Sequence, residues 1–232
     1  MRTTSRQISF ALTLIVIALL GTTLGQDAVR EELFRDATAA IGEAREVQAN
    51  LLSPKHFGEG EKLFVKAQDR FDKGDKLDQI RKDLAKAIEE FKLAAQAAKL
   101  GQVALKDLLD LRSEVLDSRL KMQGSKEFNE AEKKFQQAAE KVEKEDVKGS
   151  RGPAKDAAKQ YRKAVITVLL RDVIPDARKK LKDSKRTLTK AQYQQAESSL
   201  KQIEKDVKSQ SKVEFSVAEL SSKIISRIDA LF

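Results

Sequence analysis

One apolar register occurs three times along this chain, at a spacing that suits an α-helix and not a strand. Phe57, Gly60, Glu61, Phe64, Ala67 and Phe71 stand at offsets of 0, 3, 4, 7, 10 and 14. Phe128, Ala131, Glu132, Phe135, Ala138 and Val142 keep those offsets, as do Tyr193, Ala196, Glu197, Leu200, Ile203 and Val207. The copies begin 71 and 65 residues apart. Alternating steps of three and four align side chains on one helical stripe. An aromatic opens each stripe, and the small second residue lets a neighbouring helix come close. About two heptads per copy are too few to demand a coiled coil. The stripe is expected to be core, with Phe128 buried and with no room for a larger side chain at Gly60.

Each of the first two copies has a matching second half. Leu84, Ala87, Ile88, Phe91, Ala94 and Ala95 correspond to Ala154, Ala157, Ala158, Tyr161, Ala164 and Val165. The third copy is degenerate here: Val217, Leu220, Ile224, Ile228 and Leu231 form a stripe without an aromatic, as a capping repeat does. Upstream, Phe34, Ala37, Ile41, Ala44 and Leu51 make an opening helix. Ser53 before Pro54, Gly124-Ser125, and Thr189 with Gln192 three residues on are helix-start signals. Gly74-Asp75 and the stretch 148–153 carry breakers expected to turn the hairpins. Between copies breakers are scarce, so long helices are expected to link them, one kinked at Gly101 and one running from Ala154 to Leu181. No segment alternates as a strand does. The predicted fold is all-α: about seven helices in successive antiparallel hairpins, three degenerate repeats of roughly 65–70 residues, forming a bundle or a short solenoid.

The first 25 residues have a different build. Arg2 and Arg6 precede an apolar run over 8–20, followed by Gly21, Thr22, Thr23, Leu24 and Gly25. This is the three-part pattern of a secretory signal peptide, with Thr23 and Gly25 as small residues before a cut ahead of Gln26. The run is shorter than the roughly 20 residues of a spanning helix, the two arginines are not adjacent, and no Cys follows for lipid attachment. Residues 1–25 are therefore expected to be a leader and 26–232 a helical-repeat domain, exported to the periplasm or cell envelope. Retention of the leader as an anchor is the alternative. The formal net charge of +9 falls to +7 once Arg2 and Arg6 leave. In an exported chain such charge meets anionic lipids or cell-wall polymers rather than nucleic acid.

The run from Ser53-Pro54 through Phe57, Glu61, Phe64, Ala67 and Gly74-Asp75 to an Ala-rich helix resembles the helical repeats of an uncharacterised domain of bacterial envelope proteins. That domain often precedes a peptidoglycan-binding domain of the outer membrane protein A type. The resemblance covers about residues 27–232. It implies a helical fold in an envelope setting and provides no catalytic residues. A weaker similarity runs to tetratricopeptide repeats, whose second helix Ala87, Phe91 and Ala94, or Ala157, Tyr161 and Ala164, resemble. However, 13 residues separate Gly74 from Ala87, where that family has about five.

Candidate chemistry is sparse. With no Cys, no Trp and one His, a disulfide framework, a Cys-ligated metal site and a thiol nucleophile are excluded. His56 near Glu59 and Glu61 reads as a solvated helix-start histidine, because no second His or Cys completes a metal site. Asp107, Asp110 and Asp117 beside Lys106 and Arg112 read as an exposed charged face, and Phe57, Phe64 and Phe71 as core. One cluster stands out: Arg178, Lys179, Lys180, Lys182, Lys185, Arg186 and Lys190, interrupted by Asp183 as the lone acid. It reads either as a solvated helix end favoured by the dipole or as a docking patch for an anionic polymer or membrane surface. Helical spacing would place Arg178, Lys182, Lys185 and Arg186 broadly on one side. The expected protein is thus non-enzymatic, without catalytic, metal or cofactor sites, and acts as an interaction module or spacer in the envelope. Its expected partner is another envelope protein or an anionic envelope polymer, and no nucleic acid. The alternative is an amphipathic-helix protein on anionic lipid or cell-wall surfaces.

Overall fold

The computed structural model describes residues 27–122, 124–210 and 214–232; the expected leader lies outside them. Among the described residues there is no strand, and the fold is all-α. None of their helices is long and apolar enough to cross a membrane. They divide into two compact units: residues 27–50 with Pro54–Gln96, and Leu51–Ser53 with Ala97–Phe232.

In chain order the helices are α1 (27–46), α2 (Ala49–Leu52), α3 (Pro54–Asp72), α4 (Leu77–Ala104), α5 (Lys106–Asp117), α6 (Lys126–Glu143) and α7 (Val147–Val168). A π-helical turn, Leu169–Val173, then leads into α8 (Ile174–Asp183). A 3-10 turn, Ser184–Arg186, precedes α9 (Lys190–Ser209), and α10 is Val217–Asp229. The expectation of about seven helices holds if one-turn α2 is set aside and α4–α5 and α7–α8 each count as one interrupted rod.

The first unit packs α1, α3 and α4 up to Gln96. Its core holds Phe34, Ala37, Ala67, Phe71, Ile80 and Leu84, with Leu33, Phe64 and Ile88 against it. Phe34 meets Phe64 and Phe71 edge-on at 5.6 and 5.9 Å between ring centroids, and Phe57 meets Phe91 at 5.5 Å. The contacts Phe57–Phe91 and Arg70–Asp83 (2.9 Å) run in opposite directions along the two chains, so α3 and α4 are an antiparallel hairpin. Gly60 faces Phe91 so closely that a Cβ there would lie 2.8–3.0 Å from three ring carbons. His56 is not simply solvated: its Nδ1 lies 2.7 Å from Glu90 Oε2, joining α3 to α4.

The second unit packs α6 against α7 as its central hairpin, with α5 and α10 alongside. The expected Phe91 counterpart, Tyr161, is fully buried, and so are Ala131, Phe135 and Ala157. The Tyr161 hydroxyl donates to Glu132 Oε1 at 2.5 Å, and Arg112 Nε and Nη2 donate to the two Glu132 oxygens at 2.9 and 3.1 Å. That fork ties α5, α6 and α7 together, with the guanidinium 5.6 Å from the Phe135 ring centre. Glu114 on α5 accepts from the backbone of Val217 at 2.9 Å and of Ala218 at 3.3 Å, capping α10 from another helix beside its own cap, Ser216.

The repeat extends to the turns. Gly74 and Glu145, 71 residues apart, both have positive φ (72° and 60°), as do Gln48 and Arg119 at the same separation. At Gly74 the amides of Gly74 and Asp75 bond back to Phe71 and Arg70. At Glu145 the amides of Glu145 and Asp146 bond to Val142 and Lys141 in the same pattern. Both are Schellman turns, one with the usual glycine and one without.

This overturns the expected break at 148–153. Asp146 caps α7, its carboxylate accepting from the Gly149 amide at 2.8 Å. Gly149 is what permits it, since a Cβ there would lie 2.0 Å from Asp146 Oδ2. Pro153 lies inside the helix and removes one backbone bond without ending it. The other linker behaves as expected from Ala154 to Leu181, with one adjustment: Pro175 cannot donate, and the helix widens ahead of it so that the Ile174 amide reaches Leu169. The interruption expected at Gly101 falls at Leu105 instead. Gly101 remains helical, and its missing side chain admits Leu52, whose Cβ would sit 3.2 Å from an added Cβ. Phe128 also differs from expectation. It is only half-buried, tilted against Tyr161 at 5.9 Å, whereas its counterpart Phe57, at the same turn of α3, is buried with Arg45 over its ring. The starts at Pro54, Ser125 and Thr189 are as expected, and Thr189 with Gln192 forms a full capping box.

Two outcomes follow. Gly60→Ala should lower stability by about 1–3 kcal/mol through overpacking on Phe91, whereas Gly42→Ala, with open space around its Cβ, should raise it by about 0.5–1 kcal/mol through helix propensity. Urea titrations of the two variants give opposite signs if the packing is as described. Glu145→Gly should raise the melting temperature by about 2–4 °C by removing left-handed strain, and Gly74→Ala should lower it.

Candidate anion-binding surface

The seven cations of 178–190 fall on the hairpin of α8 and α9. One side of α8 is fixed inward by Ile174, Ala177 and Leu181, and one side of α9 by Ala196, Leu200, Ile203 and Val207, all buried. All seven cations face solvent. Their expected alignment on one helical side holds only in part. The α-helix ends at Asp183 and the chain tightens into the 3-10 turn, so Lys185 and Arg186 leave the register of Arg178 and Lys182.

The hairpin sorts the cluster into three environments. Arg178 is ion-paired with Glu204 on α9. Lys185 lies over the Tyr193 ring, 5.6 Å from its centre. Lys179, Lys180, Lys182, Arg186 and Lys190 have no ion-pair partner among the described residues. Glu204 also takes Lys208 at 2.7 Å. The Lys208 ammonium and the Arg178 guanidinium hold its carboxyl below the usual carboxylate range.

Between the two helices runs a groove of about 630 Å³. Pro175, Leu181, Leu200 and Tyr193 line its floor, and Arg178, Lys179, Lys182 and Lys201 its rim, with Glu197 3.5 Å from Lys201. Lys180, Arg186 and Lys190 do not line it. The α9 contribution, Tyr193, Lys201 and Glu204, is not legible as a site in the sequence: Tyr193 registers there only as a seam residue, and Lys201 and Glu204 as ordinary helix charges.

A larger cleft of about 880 Å³ lies between α5 and α10, lined by Asp110, Glu114, Asp117 and Asp229 among several serines. Glu114 is engaged in capping α10. Asp107, Asp110 and Asp117 are exposed as expected, while Arg112 is half-buried on Glu132. Among the described residues no group of three or more His, Asp or Glu is placed to hold a metal ion.

No protein-family model, curated protein or solved structure matches the chain.

Because the folded-state pKa of Glu204 is depressed, the stabilisation from its ion pairs is present above its unfolded value of about 4.3 and is lost as pH falls through the folded value. Glu204→Gln is therefore expected to lower the melting temperature at neutral pH, with the gap to the parent closing as the pH falls through the folded-state value. A series of thermal melts across that range measures the convergence.

Proposed function

We propose that this chain is a non-enzymatic helical-repeat protein, exported behind a leader ending at Gly25, that serves as an interaction module or spacer in the cell envelope. The observation that carries this reading is how the less exposed ionisable groups are used. Glu132 is held by Arg112 and Tyr161, Asp83 by Arg70 and Lys66, His56 by Glu90, and Glu143 by Ser53. Burial, and then the bond to Glu132, push the Tyr161 phenol above its ordinary value, which keeps it a protonated donor. These groups fasten helices to one another, and the apolar stripes are spent inside the units. The outward faces are rich in charge beside scattered apolar residues such as Val103 and Leu116, and the resemblance to helical repeats of bacterial envelope proteins agrees with that use.

A second reading, binding to anionic lipid or cell-wall surfaces, is favoured by the five cations of the α8–α9 hairpin that lack an ion-pair partner among the described residues. Exposed contacts of this kind weaken as salt shortens the Debye length from about 10 Å toward 3 Å. Cell fractionation with N-terminal sequencing should find a chain beginning at Gln26; one still beginning at Met1 in the membrane fraction would establish an anchor. Replacing Lys182, Lys185 and Arg186 by Gln should reduce retention on anionic vesicles or isolated cell wall without changing helical circular dichroism. Retention that ignores both salt and these substitutions would leave only the first reading.

A further inference from the structure

We infer that the groove between α8 and α9 is a binding site for a single anionic lipid, its phosphate held by Lys179 and Lys182 and its acyl chain laid over Pro175 and Tyr193. The inference rests on the anionic-surface reading of the cluster and sharpens it from a charged patch to one pocket.

Three features of the groove carry it. Its volume, about 630 Å³, falls within the usual range for small-ligand clefts, about 300–1,000 Å³. Its two surfaces differ in kind, since the exposed Pro175 ring and the half-buried Tyr193 ring lie beside cationic side chains, with Leu181 and Leu200 already covered beneath them. A ligand that satisfies both must be amphiphilic and negatively charged. A soluble polyanion would leave the apolar floor unused, and a neutral lipid would leave the rim unused.

The cations themselves favour phosphate over carboxylate. Planar two-point recognition of a carboxylate is the strength of arginine, and the rim's one arginine, Arg178, is already taken by Glu204. Lys201 has Glu197 within 3.5 Å. The rim cations without an ion-pair partner among the described residues, Lys179 and Lys182, are point charges on flexible stems. Such groups suit a phosphate approached from several angles and do not supply the fork that fixes an acidic peptide. Their methylene stems also extend the apolar floor. Tyr193, half-buried with Lys185 over its ring, brings an aromatic face to the same channel.

The chain offers its own optical probe. It has two tyrosines and no tryptophan, so in Tyr161→Phe protein the ultraviolet emission above phenylalanine comes from Tyr193. The full-length protein is titrated with short-chain phosphatidylglycerol below its micellar concentration, followed by that emission and by calorimetry. Glycerophosphate, short-chain phosphatidylcholine and an acidic amphipathic peptide are run in parallel. Saturable binding of phosphatidylglycerol alone is expected. Lys179→Gln with Lys182→Gln should weaken it about tenfold or more, as two cations near an anionic headgroup would. Lys180→Gln with Arg186→Gln, an equal charge change outside the groove, should weaken it far less. Equal losses in the two pairs would overturn the inference, as would equal binding of glycerophosphate or phosphatidylcholine, or tighter binding of the peptide. If anionic vesicles retain the protein while monomeric phosphatidylglycerol does not bind, the groove fails and the surface reading stands; if neither binds, both fail.

Discussion

The structure depends on an aromatic side chain of one helix sinking into a gap left by a small residue on its partner. In the first unit the gap is Gly60 and the ring is Phe91, with Phe57 packed edge-on against the same ring. The distance between two helix axes is set by the side chains at their contact, so a residue without a Cβ brings the backbones close enough for the flanking alanines to bury completely. Ala67, Ala87 and Ala94 are all fully buried beside it. In the second unit Ala131, Tyr161, Ala157 and Ala164 occupy the corresponding places and are equally buried. The change from glycine to alanine and from phenylalanine to tyrosine keeps the plan while adding a hydroxyl that must find a partner.

That hydroxyl explains the Arg112–Glu132–Tyr161 fork. A buried phenol without an acceptor is costly, and Glu132 stands at the repeat offset where Glu61 stands in the first copy. Glu61 pairs instead with Arg45 at 3.4 Å, both well exposed. One repeat position thus serves a weak surface pair in one unit and a partly buried network in the other. The difference comes from the residue across the hairpin and not from the glutamate.

Charge is distributed by the same rule. Where helices pack side by side, opposite charges meet across the seam, as in Arg227–Asp206 at 2.6 Å and Arg178–Glu204. On the outer face of α8 and through the turn into α9, Lys179, Lys180, Lys182, Arg186 and Lys190 have no ion-pair partner among the described residues. The proposed lipid groove lies where these regimes join, with Arg178 and Lys201 of its rim ion-paired and Lys179 and Lys182 without such partners among the described residues.

Helix identity and register were readable from the chain because both are local. The 3-4 spacing marks the faces, and Pro54, Ser125, Thr189 with Gln192, and Gly74 mark ends through backbone geometry that each residue imposes on itself. The turn at Glu145 escaped the same logic, since a non-glycine residue adopts left-handed φ there only because the helices on either side hold it. The partial exposure of Phe128 was equally invisible, as a stripe shows which way a side chain faces but not whether another rod reaches that far. For the cation cluster, composition revealed its sign and density. Which of its members are neutralised, and which line a groove, depended on α9 lying antiparallel to α8, because the groups that sort them, Tyr193, Lys201 and Glu204, are brought close by packing rather than by sequence.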